Sequence, residues 1–217
     1  MGEVRAGAEV IPSHGGDPRR DDNRPRDSDA RREGVHAMLE ARSVALVGAS
    51  PSPASLSYRA LCELERSPVP PVVHLVNPRR AGQENRGRTV LATLDEVPGP
   101  VDLVLLAVGD DHLEETIAAA ARRGDRGAVV FSNAVSKPDE RLQLRDRIAQ
   151  IASDAGMALC GAACMGFVSR TTRAIGYLEP APLPAGPIAL VTHSGSVFSA
   201  LLRAERPFSW SIAVSSG

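Results

Sequence analysis

Cysteine is sparse in this 217-residue chain and carries no metal signature: Cys62, Cys160 and Cys164 are odd in number and match no paired C-x-x-C spacing. No metal site is expected, and a reduced, cytoplasmic setting fits best. Charge of one sign is missing too. Lys and Arg number 25 against 26 Asp and Glu, a formal net charge of −1, so no global basic field points to nucleic acid or to an anionic membrane. No apolar run approaches the ~20 residues needed to span a bilayer. The N-terminus lacks the charged-then-apolar order of a signal peptide, so neither a membrane partner nor export is expected. Apolar surface is scarce in positions 1–33, which Arg, Asp, Gly and Pro dominate, as in DPRRDDNRPRDSDARRE, leaving little to offset the entropy of ordering. That stretch reads as a disordered tail.

Hydrophobic residues make up 43% of the chain, enough for one large domain or for one domain and part of another. After a short helix expected over VHAMLEA, the run Val44, Ala45, Leu46, Val47 suits a strand buried on both faces of a parallel sheet. Gly48, Ala49 and Ser50 follow at once. Small residues there let backbone N–H groups approach a ligand, and the helix start beyond them offers free donors and a positive dipole end to a phosphate. The dinucleotide fingerprint is absent, because its further glycines are replaced by Ser50 and Pro53.

A helix over 55–66 is stopped by Pro68, Pro70 and Pro71. The next strand, 72–76, ends in Asn77-Pro78-Arg79-Arg80, a turn carrying two guanidinium groups suited to phosphate. Positions 83–94 read as a loop and a short helix. A third strand over 101–108 precedes a helix that Asp110 or Asp111 can cap and that ends before Gly124. Residues 127–131 form a fourth strand, Ser132-Asn133-Ala134 a polar turn, 139–155 a long amphipathic helix closed by Gly156, and 157–160 a fifth strand. Repeated βαβ units call for an open, doubly wound parallel sheet, whose ligands lie beyond the carboxyl ends of the strands. The turns at Gly48, Asn77 and Ser132 all fall there. Residues 34–178 are thus expected as one domain, 179–187 as a proline-rich linker, and 188–217 as the beginning of a second, truncated α/β unit. Two strands and one helix cannot bury a core of their own.

Taken in order, SVALVGAS, the VNP turn, VDLVLLAV, CGAACMG and VTHSGSVFSALL resemble the NDP-forming acyl-CoA synthetases on the succinyl-CoA synthetase α-subunit side, which include the ADP-forming acetate–CoA ligases. The resemblance implies a CoA-binding Rossmann-like domain followed by the start of a flavodoxin-like ligase domain. It implies acyl-CoA formation from a carboxylate, CoA and a nucleoside triphosphate through an acyl phosphate, with an ATP-grasp domain or subunit as partner in cis or in trans and homo- or hetero-oligomeric assembly. Coenzyme A is the implied cofactor. By position, Ser50, Pro51, Ser52 and Pro53, next to the candidate cofactor-binding Gly48, match the CoA-phosphate loop, Arg80 a basic residue at the nucleotide end of CoA, and Phe131, Ser132 and Asn133 a third contact turn. Ser194, Gly195 and Ser196 match the acyl-phosphate loop. His193 is not expected to be the phosphorylated histidine, which in the family comes later. The stretch 161–166 departs from GPNCxG at Ala162 and Ala163, and serine stands at 57 where glycine is common. Val108-Gly109 replaces a valine-proline, and Ser132-Asn133-Ala134-Val135 lacks the family's glycine and acidic residue. Two other classes stay open: an NAD(P)-binding oxidoreductase domain, disfavoured because no acidic residue ends the second strand, and a non-catalytic CoA-binding module.

Overall fold

Residues 24–134, 140–177, 183–204 and 208–217 are described by a computed structural model. The chain runs α1 (Arg24–Leu39), β1 (Ser43–Val47), α2 (Leu56–Glu65), β2 (Val72–Val76), β3 (Glu84–Asn85), β4 (Arg88–Leu91), β5 (Leu103–Leu106), α3 (Leu113–Arg123), β6 (Gly127–Val130), α4 (Glu140–Asp154) and β7 (Ala158–Cys160). It continues through β8 (Gly166–Ser169), β9 (Arg173–Ile175), β10 (Ala185–Thr192), α5 (Gly195–Leu202) and β11 (Trp210–Ser215).

The apolar run of β1 lies at the centre of a seven-stranded sheet of order β3-β4-β2-β1-β5-β6-β7, parallel except for the β3–β4 hairpin. Alternation along β1 divides its side chains between two cores. Val44 and Leu46 join Leu61 and Leu64 of α2 on one face, while Ala45 and Val47 join Leu113 and Ile117 of α3 and Ile148 of α4 on the other. The chain steps from β1 outward to β2 and then returns to β5 on the opposite side. The strand order therefore reverses at β1, which opens a crevice beyond its carboxyl end.

Several expectations are corrected. Helix α1 begins at Arg24, inside the stretch expected to be a tail; residues 1–23 lie outside the described ones. Tertiary packing supplies what its composition lacks: Ala37 and Met38 are buried, Arg31 donates to Ser153 Oγ at 2.6 Å, and a Cβ on Gly34 would meet the Arg126 carbonyl at 2.9 Å. Positions 83–94 hold the β3–β4 hairpin, turned at Arg86 and Gly87 with φ of 51° and 73°. Strands of two and four residues are too short to show a period of two. Neither Asp110 nor Asp111 caps α3 by a side-chain bond. A 3-10 turn over Asp110–His112 satisfies the first donors instead, with His112 N on the Gly109 carbonyl at 3.1 Å.

The C-terminal unit is not freestanding. Strands β10 and β11 pair in parallel, and β11 pairs antiparallel with β8, giving the order β10-β11-β8-β9. Two strands taken from the expected first domain thus complete the second sheet. The reason is burial: Phe198 and Trp210 pack against Val168 and Ile175, which β10, α5 and β11 alone do not offer. Strand β10 also starts three residues inside the expected linker, of which 179–182 lie outside the described residues. Among the described residues no helix is long and apolar enough to cross a membrane.

The β3–β4 hairpin is strapped to α2. Arg86 donates Nε and Nη2 to Glu65 Oε2 at 3.0 and 2.6 Å, and Arg88 donates to Glu65 Oε1 at 2.7 Å. The Arg86 hydrogen bond, opposed by burial, holds the Glu65 carboxyl below its ordinary value of 4.5. A depressed folded value stabilises the fold above the unfolded pKa and is lost as pH falls through the folded one. Wild-type stability should therefore decline below pH ~4.5 more steeply than that of Glu65→Gln, as read by urea midpoints at successive acid pH values. Parallel acid limbs would disprove the linkage.

Candidate functional site

Gly48 ends β1 with φ of 85°, a left-handed conformation that glycine adopts without penalty. Its N–H and that of Ala49 both donate to the Val76 carbonyl, at 2.9 and 3.2 Å, so the β1 turn is tied to the end of β2. Asn77 locks the same junction from the other side. Its Nδ2 donates to the Ala49 carbonyl at 2.8 Å, and its Oδ1 accepts from Arg79 N at 3.0 Å, capping the 3-10 turn over Pro78–Arg80. One side chain thus joins the two loops that flank the crevice.

The crevice is a cleft of about 460 Å³ at the carboxyl ends of β1, β2, β4 and β5. Val47, Gly48, Val76, Ala107 and Val108 form an apolar floor. Asn77, Arg79, Thr93, His112, Thr116 and Arg122 bring polar and basic groups to it, with Asp95 and Glu115. Such a site suits an elongated ligand with an apolar ring and anionic groups. Asn77→Ala removes both the loop-joining bond to Ala49 and the cap on Arg79 N, and should cost about 1–2 kcal/mol of stability, each bond being worth about 0.5–1.5. It should also weaken ligand binding several-fold, whereas Asn77→Asp, which keeps only the bond from Arg79 N, should fall between; unchanged affinity in both would show that the junction does not shape the site.

The sequence-named residues divide. Gly48 lies in the cleft, and Arg79 lines it in place of Arg80. A 3-10 turn advances about 120° per residue, so adjacent arginines face different ways; Arg80 turns towards Gln83 Oε1, 3.4 Å from its Nη1. Ser50 is half-buried and accepts from Ser52 N at 3.3 Å, while Pro51, Ser52 and Pro53 form the exposed loop between the cleft and α2. Ser55 closes that loop by accepting from Tyr58 N at 3.1 Å. Phe131 is a core side chain, 2% exposed, whose carbonyl accepts from the Tyr177 hydroxyl at 3.0 Å. Ser132 Oγ is buried with no hydrogen-bond partner among the described residues, and Asn133 is exposed. Val135 of that turn lies outside the described residues.

Ser194, Gly195 and Ser196 lie elsewhere, on the second sheet: Ser194 caps α5, its Oγ accepting from Val197 N at 3.2 Å. His193 Nδ1 contacts Ser216 Oγ at 2.8 Å and the Gly217 carbonyl at 3.1 Å, which ties this loop to the end of β11. Cys164 is 1% exposed, with its thiol on the Val130 carbonyl at 3.3 Å, and the Cys164 sulfur together with burial pushes the Cys160 thiol up. Both are packing residues. Thr93, Asp95, Thr116 and Arg122 were not legible as site residues. Thr93 and Asp95 follow an unrecognised strand, and Thr116 and Arg122 stand on the side of α3 away from the apolar stripe that defines the helix.

All cleft residues fall within 42–170, the segment that matches the protein family described as "CoA binding domain". The chain belongs to the CoA-binding domain family. This CoA-binding domain is 26% identical over 186 residues to the trans-feruloyl-CoA synthase FCS1 of an unknown prokaryotic organism, covering 80% of the chain and 25% of that relative. It is 23% identical over 171 residues to the α subunit of ADP-forming acetate–CoA ligase I of Pyrococcus furiosus, covering 77% of the chain and 37% of that protein. The chain therefore spans between a quarter and two-fifths of these relatives. Its fold is similar to that of the dinucleotide-forming acetyl-coenzyme A synthetase 1 of Ca. Korarchaeum cryptofilum in its apo form, with a TM-score of 0.71 at 24% identity over 82% of the chain and 39% of that structure. The mostly parallel, Rossmann-like sheet is thus the architecture of this CoA-binding domain.

Proposed function

We propose that the chain binds coenzyme A in the β1–β2–β5 cleft and is the CoA-binding portion of an NDP-forming acyl-CoA synthetase. The observation that carries this reading is the cleft itself, a crevice at the strand-order reversal that lies wholly inside the family-matched segment. The residues fit the cofactor. The apolar floor of Val47, Val76, Ala107 and Val108 accommodates an adenine ring, and Arg79 and Arg122 supply cations for phosphates.

In the proposed reaction the terminal phosphoryl group of a nucleoside triphosphate passes to a carboxylate to give an acyl phosphate and a nucleoside diphosphate, and the CoA thiol then displaces inorganic phosphate to give acyl-CoA. This chain's residues hold CoA, and the donors of the first turn of α5 at Gly195 and Ser196 face the phosphoryl group. His193, held by Ser216, supports that loop and is not the phosphoacceptor. An ATP-grasp domain or subunit, in cis or in trans, supplies nucleotide chemistry; the names of the acetate–CoA ligase relatives as α subunits favour a partner subunit.

Titration calorimetry on the folded chain tests the reading. CoA should bind at one site, pantetheine, which lacks the phosphates, at least about tenfold more weakly, and NADP should not compete. A well-folded sample without CoA affinity overturns the proposal, and displacement of CoA by NADP favours an oxidoreductase domain.

A further inference from the structure

A second cavity, of about 450 Å³, opens beside α2, away from the cleft. Pro53, Tyr58, Arg59, Cys62, Glu65 and Arg86 contribute to its wall. Its guanidinium groups are not equivalent. Arg86 is held by Glu65 and lies 5.6 Å over the Tyr58 ring, while Arg66, also on the wall, donates Nη1 to Glu63 Oε1 at 2.9 Å. Arg59 meets no carboxylate among the described residues. Its Nη2 donates to the Ala54 carbonyl at 3.1 Å, and its Nε is buried without a hydrogen-bond partner. A buried N–H of a charged group left without an acceptor is costly, and here it belongs to a residue that borders open space.

We propose that this cavity is a second ligand site, which takes a phosphate-type anion on Arg59. The planar guanidinium suits such an anion because it donates two parallel N–H bonds. Two sources share this chemistry. One is a free inorganic anion; the other is a phosphate of the CoA held in the cleft, because the loop of Ser50, Pro51, Ser52 and Pro53 runs from Gly48 at the cleft to Pro53 at the cavity. The second source rests on the CoA reading, whereas the first does not.

Cys62 supplies the readout: it is half-buried on the cavity wall, whereas Cys160 and Cys164 are buried. Alkylation of Cys62 by iodoacetamide, followed by mass spectrometry on the full chain, should slow about tenfold in inorganic pyrophosphate at ten times its dissociation constant, as occupancy requires. Arg59→Gln should abolish the protection, and Arg59→Lys, which keeps charge but loses the fork, should retain only part of it. Circular dichroism confirms folding, and if Arg59→Gln does not fold, full protection persisting in Arg59→Lys overturns the proposal. Protection by CoA but not by pantetheine assigns the site to the cofactor's phosphate; protection by pyrophosphate with none by bound CoA assigns it to a free anion. Unchanged alkylation of the wild type in both, or equal protection in Arg59→Gln, shows that no anion is held on Arg59 and overturns the proposal. Failure of the CoA reading appears separately, as absent heat in the CoA titration, and the pyrophosphate arm does not depend on it.

Discussion

Gly48→Val is expected to abolish CoA binding and to destabilise the fold by about 2–5 kcal/mol, the sum of about 1–2 for a left-handed non-glycine residue and about 1–3 for overpacking. The geometry leaves little room for relief. A Cβ at position 48 would stand 2.3 Å from the Ala107 carbonyl oxygen and 2.8 Å from its carbon, both backbone atoms, and the φ of 85° disfavours any side chain. Either the β1 turn swings into the cleft or the end of β5 moves out, and both reshape the floor on which the ligand would lie. Gly48→Ala meets the same backbone atoms with fewer side-chain atoms, so it should fall at the lower end. Urea denaturation and CoA calorimetry on the same samples check the expectation. A valine variant within about 1 kcal/mol of wild type that still binds CoA would show that the turn is not tight.

The second large effect is expected at Glu63, which is 1% exposed on α2. Its Oε2 accepts from Arg173 Nε and Nη2 at 2.8 and 2.5 Å, and its Oε1 accepts from Arg66 Nη1 at 2.9 Å. This carboxylate joins α2 to β9, and so links the sheet that carries the cleft to the sheet that carries the Ser194 loop. Removing one partner of a buried pair costs about 3–5 kcal/mol, because the guanidinium loses its bidentate carboxylate contact in a poorly solvated place. Glu63→Ala should show that loss in its denaturation midpoint. The double variant Glu63→Leu with Arg173→Met should recover much of it, since apolar replacement of a buried pair is often close to neutral. A loss below about 1 kcal/mol in the single variant, or no recovery in the double, would refute a pair-specific contribution. Because Gly176 packs on Leu56 at the start of α2, the same link orients the loop before that helix, and CoA affinity should fall with stability.

Much of this protein was readable before any tertiary information. The runs at 44–47 and 103–106 are continuous and apolar because each strand is buried on both faces, a pattern that needs no partner to be recognised. Gly48, Gly124 and Gly156, with φ of 85°, 78° and 65°, mark chain reversals that glycine adopts best, so their positions set element ends locally. That the turns at Gly48 and Asn77 lie side by side was legible too, because a parallel sheet brings successive strand ends to one edge.

The tertiary structure decided the rest, wherever the determining interaction joins residues far apart in the chain. Helix α1 extends back to Arg24 although its sequence is polar, because Gly34 and Met38 find partners near β6 and β7 about a hundred residues later. Arg79 rather than Arg80 lines the cleft, because the pitch of a three-residue turn assigns the side chains their directions. The boundary between the two sheets moved for the same physical reason. Strands β8 and β9 are continuous in sequence with the first unit, yet Phe198 and Trp210 require apolar surface that β10, α5 and β11 lack, so burial outweighs chain order and draws them into the second sheet.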